Sequence, residues 1–470
     1  MTKNTEYYFC GIGGSGMLPL ATLVQRAGYL VKGSDRSYDQ GRIADKFLWL
    51  QDEGIEIFPQ DGSGITHKGQ ILVASAAVED SVADVVAARK LGLARMTRAE
   101  LLASLFNKSN LGVAIGGTSG KSTVTGMIGW IAHHCGLSPK IMNGAVMKNF
   151  ISDKNRFASA ISGDGEAFIS EVDESDGSIA LFNPQIAVLN NITLDHKSME
   201  ELHQLFGDFA AKAPHLIWNI DDVESRKLMD LRPHRGAVSF GFTNDADFCA
   251  TNIILHPMAA NFDLLYKDEI FKVALQVPGK HNIANALAAI AASMAMGIKL
   301  SDAIAAIGQF SGLRRRFEMV GTTNGITIID DFGHNPDKIA ATLSAMKSFN
   351  GRVIAFFQPH GFGPLRLMKD ELAEVFAKYL TKDDQLIICD PVYFGGTVDK
   401  SVGTPQLVEA INAHQQVQAR HIALREECGA YISAIAETGD RIAIMGARDD
   451  SLSLFAADML EMLANSAKAD

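Results

Sequence analysis

The sequence predicts an α/β protein of three domains, and three observations carry that prediction. A chain of 470 residues has room for about three domains, each able to bury its own core. Three strand-like apolar runs, at residues 7–10, 111–115 and 326–329, each end in a punctuated turn that leads into a helical pattern. In the last third, strand-like stretches at 353–357, 386–389 and 442–445 alternate with helical ones, the pattern of a sheet covered by helices. The expected boundaries lie near residues 107 and 313, giving domains over 1–107, 108–312 and 313–470.

The bulk numbers exclude several classes. Apolar residues make up 47% and charged residues 21%, with 42 Gly and 13 Pro, which is globular rather than disordered or fibrous composition. A net charge of −11 argues against a general nucleic-acid or anionic-membrane binder, while a local basic pocket for a phosphorylated small molecule is compatible with it. The five cysteines, Cys10, Cys135, Cys249, Cys389 and Cys428, are too scattered for a C-x-x-C metal site or a disulfide framework. A reducing compartment follows. The N-terminus lacks a signal-peptide pattern, and the longest nearly apolar run, 286–298, is too short to span a bilayer. The expectation is a cytoplasmic protein without membrane insertion.

In the first domain, residues 7–10 run into Gly11-x-Gly13-x-x-Gly16, with Asp35 following 19 residues after the last glycine. Small residues let a backbone approach phosphates at a helix N-terminus, and an acid at that distance meets a ribose hydroxyl. The same geometry serves NAD or another nucleotide diphosphate, because it recognises a pyrophosphate more than a base.

The second domain opens with the strand 111–115 and Gly117-Thr118-Ser119-Gly120-Lys121-Ser122-Thr123. Backbone amides and the Lys121 ammonium can neutralise the β- and γ-phosphates of ATP, while the Ser122 hydroxyl can ligate Mg²⁺. Ile115 replaces the first glycine of the longer phosphate-loop pattern, so this is the short G-T-x-G-K-[ST] form. Further on, Ser170-Glu171-Val172-Asp173-Glu174-Ser175-Asp176 and Asn191-x-x-x-Asp195-His196 each follow an apolar run. Acids at such strand ends are often turn or cap residues, but beside a phosphate loop they read as holders of the triphosphate's Mg²⁺. Residues 187–191 and 216–219 look like buried parallel strands, and from 238 to 277 shorter alternating pieces suggest a small side sheet.

Gly279-Lys280-His281-Asn282-x-x-Asn285 precedes an alanine-rich helix and can present amides to an adenine edge or simply cap the helix. At the third domain's start, Arg314-Arg315-Arg316-Phe317 can deliver a guanidinium to a phosphate, and Asp330-Asp331-Phe332-Gly333-His334 places a carboxylate and a ring at the mouth of the sheet.

These pieces, in this order, resemble the Mur ligase family over nearly the whole chain. The resemblance implies a Rossmann-like N-terminal domain for a UDP-sugar, a central P-loop-type ATPase domain and a C-terminal Rossmann-like domain that closes over the nucleotide. By position, it implies that Gly13, Ser15, Gly16 and Asp35 hold the uridine diphosphate. Gly117, Thr118, Gly120, Lys121, Ser122 and Thr123 would cradle ATP, with Asn282, Asn285, Arg316 and Asp331 contacting adenine, phosphate and ribose. Ser122, Glu174 and His196 would ligate Mg²⁺, and Lys121, Glu174 and His196 would carry catalysis.

The implied reaction makes an amide from UDP-N-acetylmuramate and an amine through an acyl phosphate, releasing ADP and phosphate. L-alanine is the first expected acceptor, and the recycled peptide L-Ala-γ-D-Glu-meso-diaminopimelate the alternative. An NAD-dependent oxidoreductase is a remoter reading that leaves Lys121, Glu174 and His196 without a role. The enzyme is expected as a monomer or homodimer. Two places depart from the family pattern: Ser119 stands where a histidine is usual, and 361–366 read Gly-Phe-Gly-Pro-Leu-Arg instead of Arg-Tyr-x-Arg. Both bear on acceptor choice.

Overall fold

A computed structural model describes residues 5–75, 78–194, 197–392, 399–447 and 449–466. The chain forms two compact units, Met1–Leu255 with Ala259–Leu313, and His256–Met258 with Arg314–Asp470. No helix among the described residues is long and apolar enough to cross a membrane.

The first unit holds two sheets. Strands β1 (Glu6–Cys10), β2 (Leu30–Ser34), β3 (Glu56–Phe58), β4 (Gln70–Ala74) and β5 (Ala94–Thr97) form a parallel sheet in the order β3-β2-β1-β4-β5. Every residue of β1 is buried, as a central parallel strand covered on both faces requires. The chain runs outward from β1 to β3 on one side and from β4 to β5 on the other, so the loop after β1 lies at a topological switch point.

The second sheet has ten strands: β6 (Leu111–Gly116), β7 (Lys140–Met142), β8 (Ala160–Ser162), β9 (Ala167–Glu171), β10 (Ile186–Leu189), β11 (His215–Asn219), β12 (Ala237–Gly241), β13 (Phe248–His256), β14 (Ala259–Tyr266) and β15 (Glu269–Leu275). Their order is β15-β14-β13-β12-β11-β10-β6-β9-β7-β8. The expected short strands after residue 238 do form. They are joined to the main sheet, because β12 pairs in parallel with β13, and β14 and β15 form the antiparallel hairpin at its edge. Helices Lys121–His134 and Lys280–Ala295 pack Val124, Met127 and Ile128 against Ile283, Leu287 and Ile290 over Val113 and Ile115 of β6. That apolar layer fixes the phosphate loop between them. The two sheets share a core in which the Trp49 ring meets that of Phe157 at 5.3 Å, tilted by 53°, and donates its indole N–H to the Lys154 carbonyl at 3.2 Å.

The second unit carries β16 (Glu318–Thr323), β17 (Ile326–Asp331), β18 (Val353–Gln358), β19 (Gln385–Ile388), β20 (Gln418–His421) and β21 (Arg441–Gly446), ordered β16-β17-β21-β18-β19-β20. Only β16 is antiparallel to its neighbour. β18 is buried along its whole length, in keeping with its central place.

Candidate active site

Gly11 closes β1 with φ of +80°, a conformation glycine adopts without strain. The Gly13 amide donates to Asp35 Oδ2 at 2.8 Å, and Ser37 N donates to Asp35 Oδ1 at 2.8 Å. Lys46 Nζ meets the Gly13 carbonyl at 3.1 Å. A Cβ on Gly13 would stand 3.0 Å from both Asp35 Oδ2 and the Phe47 ring. The carboxylate expected to face a ribose hydroxyl thus braces the glycine loop from below, while Ser15 stays exposed at its tip.

The phosphate loop is held by the neighbouring strand. β10 pairs with β6 in parallel, with Leu189 opposite Gly116, so Asn190 and Asn191 emerge beside the loop. Asn191 Oδ1 accepts from Ser119 N at 2.8 Å and from Thr118 Oγ1 at 2.9 Å. Asn190 Nδ2 donates to the Ser119 carbonyl at 2.9 Å and to Asn285 Oδ1 at 3.2 Å. The chain of amides continues through Asn285 Nδ2 to Asn282 Oδ1 at 3.1 Å and from Asn282 Nδ2 to the Pro278 carbonyl at 2.8 Å. Asn282 and Asn285, expected at an adenine edge, are buried behind Gly120, where they hold the loop's shape. Gly120 caps helix Lys121–His134 at φ +81°; a Cβ there would lie 2.4 Å from Asn190 Nδ2 and 2.7 Å from Asn285 Oδ1. The first amides of that helix have no intrahelical acceptor and point to where an anion binds.

β9 flanks β6 on the other side, placing Glu171 opposite Ile115. Two short contacts define the acidic wall: Lys121 Nζ donates to Glu174 Oε2 at 2.7 Å, and Ser122 Oγ donates to Glu171 Oε2 at 2.7 Å. Burial raises the Glu174 carboxyl above its ordinary range against the pull of the Lys121 ammonium. Burial also acts on Asp173, but there Lys121, the Ser175 hydrogen bonds and Arg98 together outweigh it and hold the carboxyl low. Ser122 and Glu174 were expected to ligate one metal; here the serine hydroxyl meets Glu171, while Glu174 is engaged with the lysine. His196 and Asp195 lie outside the described residues. Among the described residues there is no group of three or more His, Cys, Asp or Glu poised around a metal. Two hard oxygen donors do meet at Ser122 and Glu171, and such a pair fits Mg²⁺, which takes one or two protein oxygens and fills its remaining positions with phosphate and water.

Glu171 and Asn191 lie inside motifs the sequence singles out but carry no individual role there, and Asn190 is not singled out at all. Each stands at the end of an apolar run whose pairing with the strand before the phosphate loop is not visible along the chain.

The second unit has its own polar end at the carboxyl side of β17. Asp331 Oδ2 accepts from Phe317 N at 2.7 Å, and Oδ1 accepts from Gly333 N at 2.8 Å and Thr342 Oγ1 at 2.7 Å. The Arg316 guanidinium lies 4.7 Å from the Phe332 ring centre. Arg315 is the buried member of the triplet: it donates to the Gly446 carbonyl at 2.7 Å and pairs with Asp330 at 3.4 Å. Burial drives the Asp330 carboxyl up to about 6 despite that arginine. Phe332, His334 and His360 continue the ring series at 5.4 and 5.0 Å. In the departing segment 361–366, Arg366 pairs with Asp399.

His334 is held neutral, its pKa pushed down to about 3 by burial first and by Lys338 next. A histidine whose folded pKa lies below its ordinary 6.5 binds fewer protons folded than unfolded, so its contribution to stability is present above pH 6.5 and is lost as pH falls towards 3. The expected result is that the stability difference between wild type and His334→Gln changes progressively over that window and is flat above it. Chemical denaturation at closely spaced pH values measures this; a difference independent of pH would contradict it.

The fold and the site together define a nucleoside-triphosphate-using α/β enzyme with a phosphate loop on its central sheet. Three family models match the chain: "Mur ligase family, catalytic domain" over residues 6–110, "Mur ligase middle domain" over 115–293 and "Mur ligase, glutamate ligase domain" over 315–448. The UDP-N-acetylmuramate–L-alanine ligase of Geobacter sulfurreducens is 33% identical over 458 residues, 95% of each chain. That of Agrobacterium fabrum is 32% identical, covering 94% of this chain and 93% of the relative. The chain belongs to the Mur ligase family, whose members are ATP-dependent, amide-forming ligases. Among solved structures, the UDP-N-acetylmuramate-alanine ligase of Thermotoga maritima matches with a TM-score of 0.80 at 22% identity, covering 98% of this chain and 99% of that one. A murein peptide ligase from Psychrobacter arcticus matches with a TM-score of 0.71 at 23% identity over the same shares. At those identities the two structures speak for the fold.

Proposed function

We propose that this enzyme joins L-alanine to UDP-N-acetylmuramate, the two substrates that the curated relatives' names give for those proteins, and that it does so in the cytoplasm with consumption of ATP. The observation that carries the reading is the phosphate loop with Lys121 and Ser122 each 2.7 Å from an acid of the adjacent strand end. That arrangement gathers a cation held by Glu174, an oxygen pair suited to a metal and a row of helix amides around one phosphate position.

In the proposed reaction a carboxylate oxygen of the sugar substrate attacks the γ-phosphorus, the bond to the ADP oxygen breaks, and an acyl phosphate results. The amine of alanine then attacks the carbonyl carbon; the tetrahedral intermediate collapses with loss of phosphate, and the amine's proton passes to solvent or a base. Lys121 leaves Glu174 to follow the charge onto the transferring phosphoryl group, and the amides at the start of helix Lys121–His134 hold the β-phosphate. Bound Mg²⁺ supplies charge neutralisation on the triphosphate; Ser122 and Glu171 would hold it, with His196 a further candidate. Glu174 acts as the counter-ion that positions Lys121. Asn282 and Asn285 serve the nucleotide through the loop they support, and Arg316 and Asp331 remain candidates for nucleotide contact, as do Gly13, Ser15, Gly16 and Asp35 for the UDP-sugar.

The test is phosphate release from ATP with Mg²⁺ and UDP-N-acetylmuramate, offering L-alanine, glycine, L-serine or L-Ala-γ-D-Glu-meso-diaminopimelate. Release should be fastest with L-alanine. Release with the tripeptide alone, or with no acceptor, would overturn the proposal.

A further inference from the structure

One basic side chain, Arg98, lies between the two glycine loops, against Gly16 on one side and in a cavity with Lys121 on the other. Arg98 is the first residue of helix Arg98–Phe106, whose start is fixed by the reciprocal Thr97–Glu100 capping box. The backbone there is locked, so the side chain leaves the helix in a set direction. It crosses Gly16: a Cβ on that glycine would stand 3.0 Å from Arg98 Cδ and 3.3 Å from both Nε and Nη1. Any larger residue at position 16 would push the guanidinium away. Beyond Gly16 the arginine lines a cavity of about 120 Å³ that it shares with Lys121, Glu171, Asp173 and Ser178.

The guanidinium is half-buried and makes no hydrogen bond or ion pair among the described residues; its charge acts on Asp173, whose carboxyl it helps hold low. This contrasts with Arg315 and Arg352, whose guanidinium groups donate to protein oxygens at 2.7 and 2.6 Å. The amides of Ser15 and Gly16 likewise donate to no protein acceptor among the described residues, whereas that of Gly13 is spent on Asp35. Five planar donors left open next to two open amides match an oxyanion with several acceptor oxygens.

We propose that Arg98 binds the diphosphate of the nucleotide-sugar, closing it against the Gly13–Gly16 loop while its own helix ties that loop to the wall of the ATP site. This deepens the reading above and rests on it. Because Arg98 contacts the diphosphate and not the transferred phosphoryl group, it governs affinity for the sugar nucleotide and leaves the chemical step alone.

Calorimetric titration of wild type and Arg98→Gln with UDP and with UMP, together with steady-state kinetics, tests this. Arg98→Gln should weaken UDP about ten- to hundredfold, the loss expected for charge-assisted hydrogen bonds, and UMP distinctly less. KM for UDP-N-acetylmuramate should rise with it, while kcat and the KM for ATP stay within about twofold. In wild type, saturating UDP should shield Arg98 from phenylglyoxal, read by peptide mass spectrometry, a measurement that does not depend on the variant folding. A UDP affinity changed less than threefold in a variant with the wild-type melting temperature, or modification of Arg98 indifferent to UDP, overturns the proposal. Weakened binding of UDP-N-acetylmuramate with unchanged UDP would move Arg98 to the sugar's carboxylate and also overturn it. If wild type binds neither UDP nor UDP-N-acetylmuramate, the substrate reading itself has failed.

Discussion

Replacing Lys121 with methionine is expected to reduce ATP-dependent phosphate release by roughly a thousandfold, the upper range for removing one preorganised charge from a developing anion. The ammonium stands at the first position of helix Lys121–His134 and is tethered 2.7 Å from Glu174. Methionine keeps the length and apolar stem but supplies no donor, so the phosphoryl group would pass through its transition state facing only amides. The same substitution leaves Glu174 buried without its counter-ion. Its carboxyl, already raised by burial, would then be neutral at a higher pH still, which moderates the cost to stability. Melting temperature and phosphate release should be measured on one preparation. Release within tenfold of wild type at saturating ATP, from a folded variant, would remove Lys121 from the mechanism.

The second large effect is expected at Glu171. If Ser122 and Glu171 hold the metal, Glu171→Gln raises the Mg²⁺ concentration for half-maximal activity by about tenfold or more and lowers the rate at fixed low Mg²⁺ by roughly a hundredfold. Glutamine preserves shape and one acceptor oxygen but not the negative charge. Glu174→Gln is the matched control: it loosens Lys121 and so lowers kcat, with the Mg²⁺ requirement near that of wild type. Titrating Mg²⁺ at saturating ATP separates the two. A metal requirement shifted by Glu174→Gln and unmoved by Glu171→Gln would return the ligand role to Glu174, as the sequence resemblance implied.

Much of the site was legible because it is local. The glycines at 11, 13 and 16, and Gly117 through Thr123, act through their spacing along a single strand–loop–helix turn, which covalent connectivity alone sets. The three strand-and-turn starts were legible for the same reason, since an apolar run of strand length followed by a helical period needs no partner to be recognised.

Other residues gained partners that the chain's linear order does not show. Asp35 reads as a ribose-binding acid by its distance along the chain, yet both its oxygens accept backbone amides, from Gly13 and Ser37. Asn282 and Asn285 read as base-recognising amides, yet they connect to Asn190 behind Gly120. The acidic run 171–176 offers four carboxylates that spacing alone does not rank; the resemblance singles out Glu174, whereas the fold sets Glu171 against Ser122.

The sequence by itself determined the fold class and the two glycine-rich strand-to-helix turns, because backbone conformation at glycines and the period of apolar residues are properties of neighbouring positions. Only the tertiary structure decided which acid meets Ser122, which asparagines shape the loop, and that Arg98 reaches Gly16 from a helix more than eighty residues later in the chain. Those choices depend on β9 and β10 lying on either side of β6 in register and on the first sheet packing against the second. Strand order and register come from burying the whole apolar surface at once, a quantity that no single stretch of sequence contains.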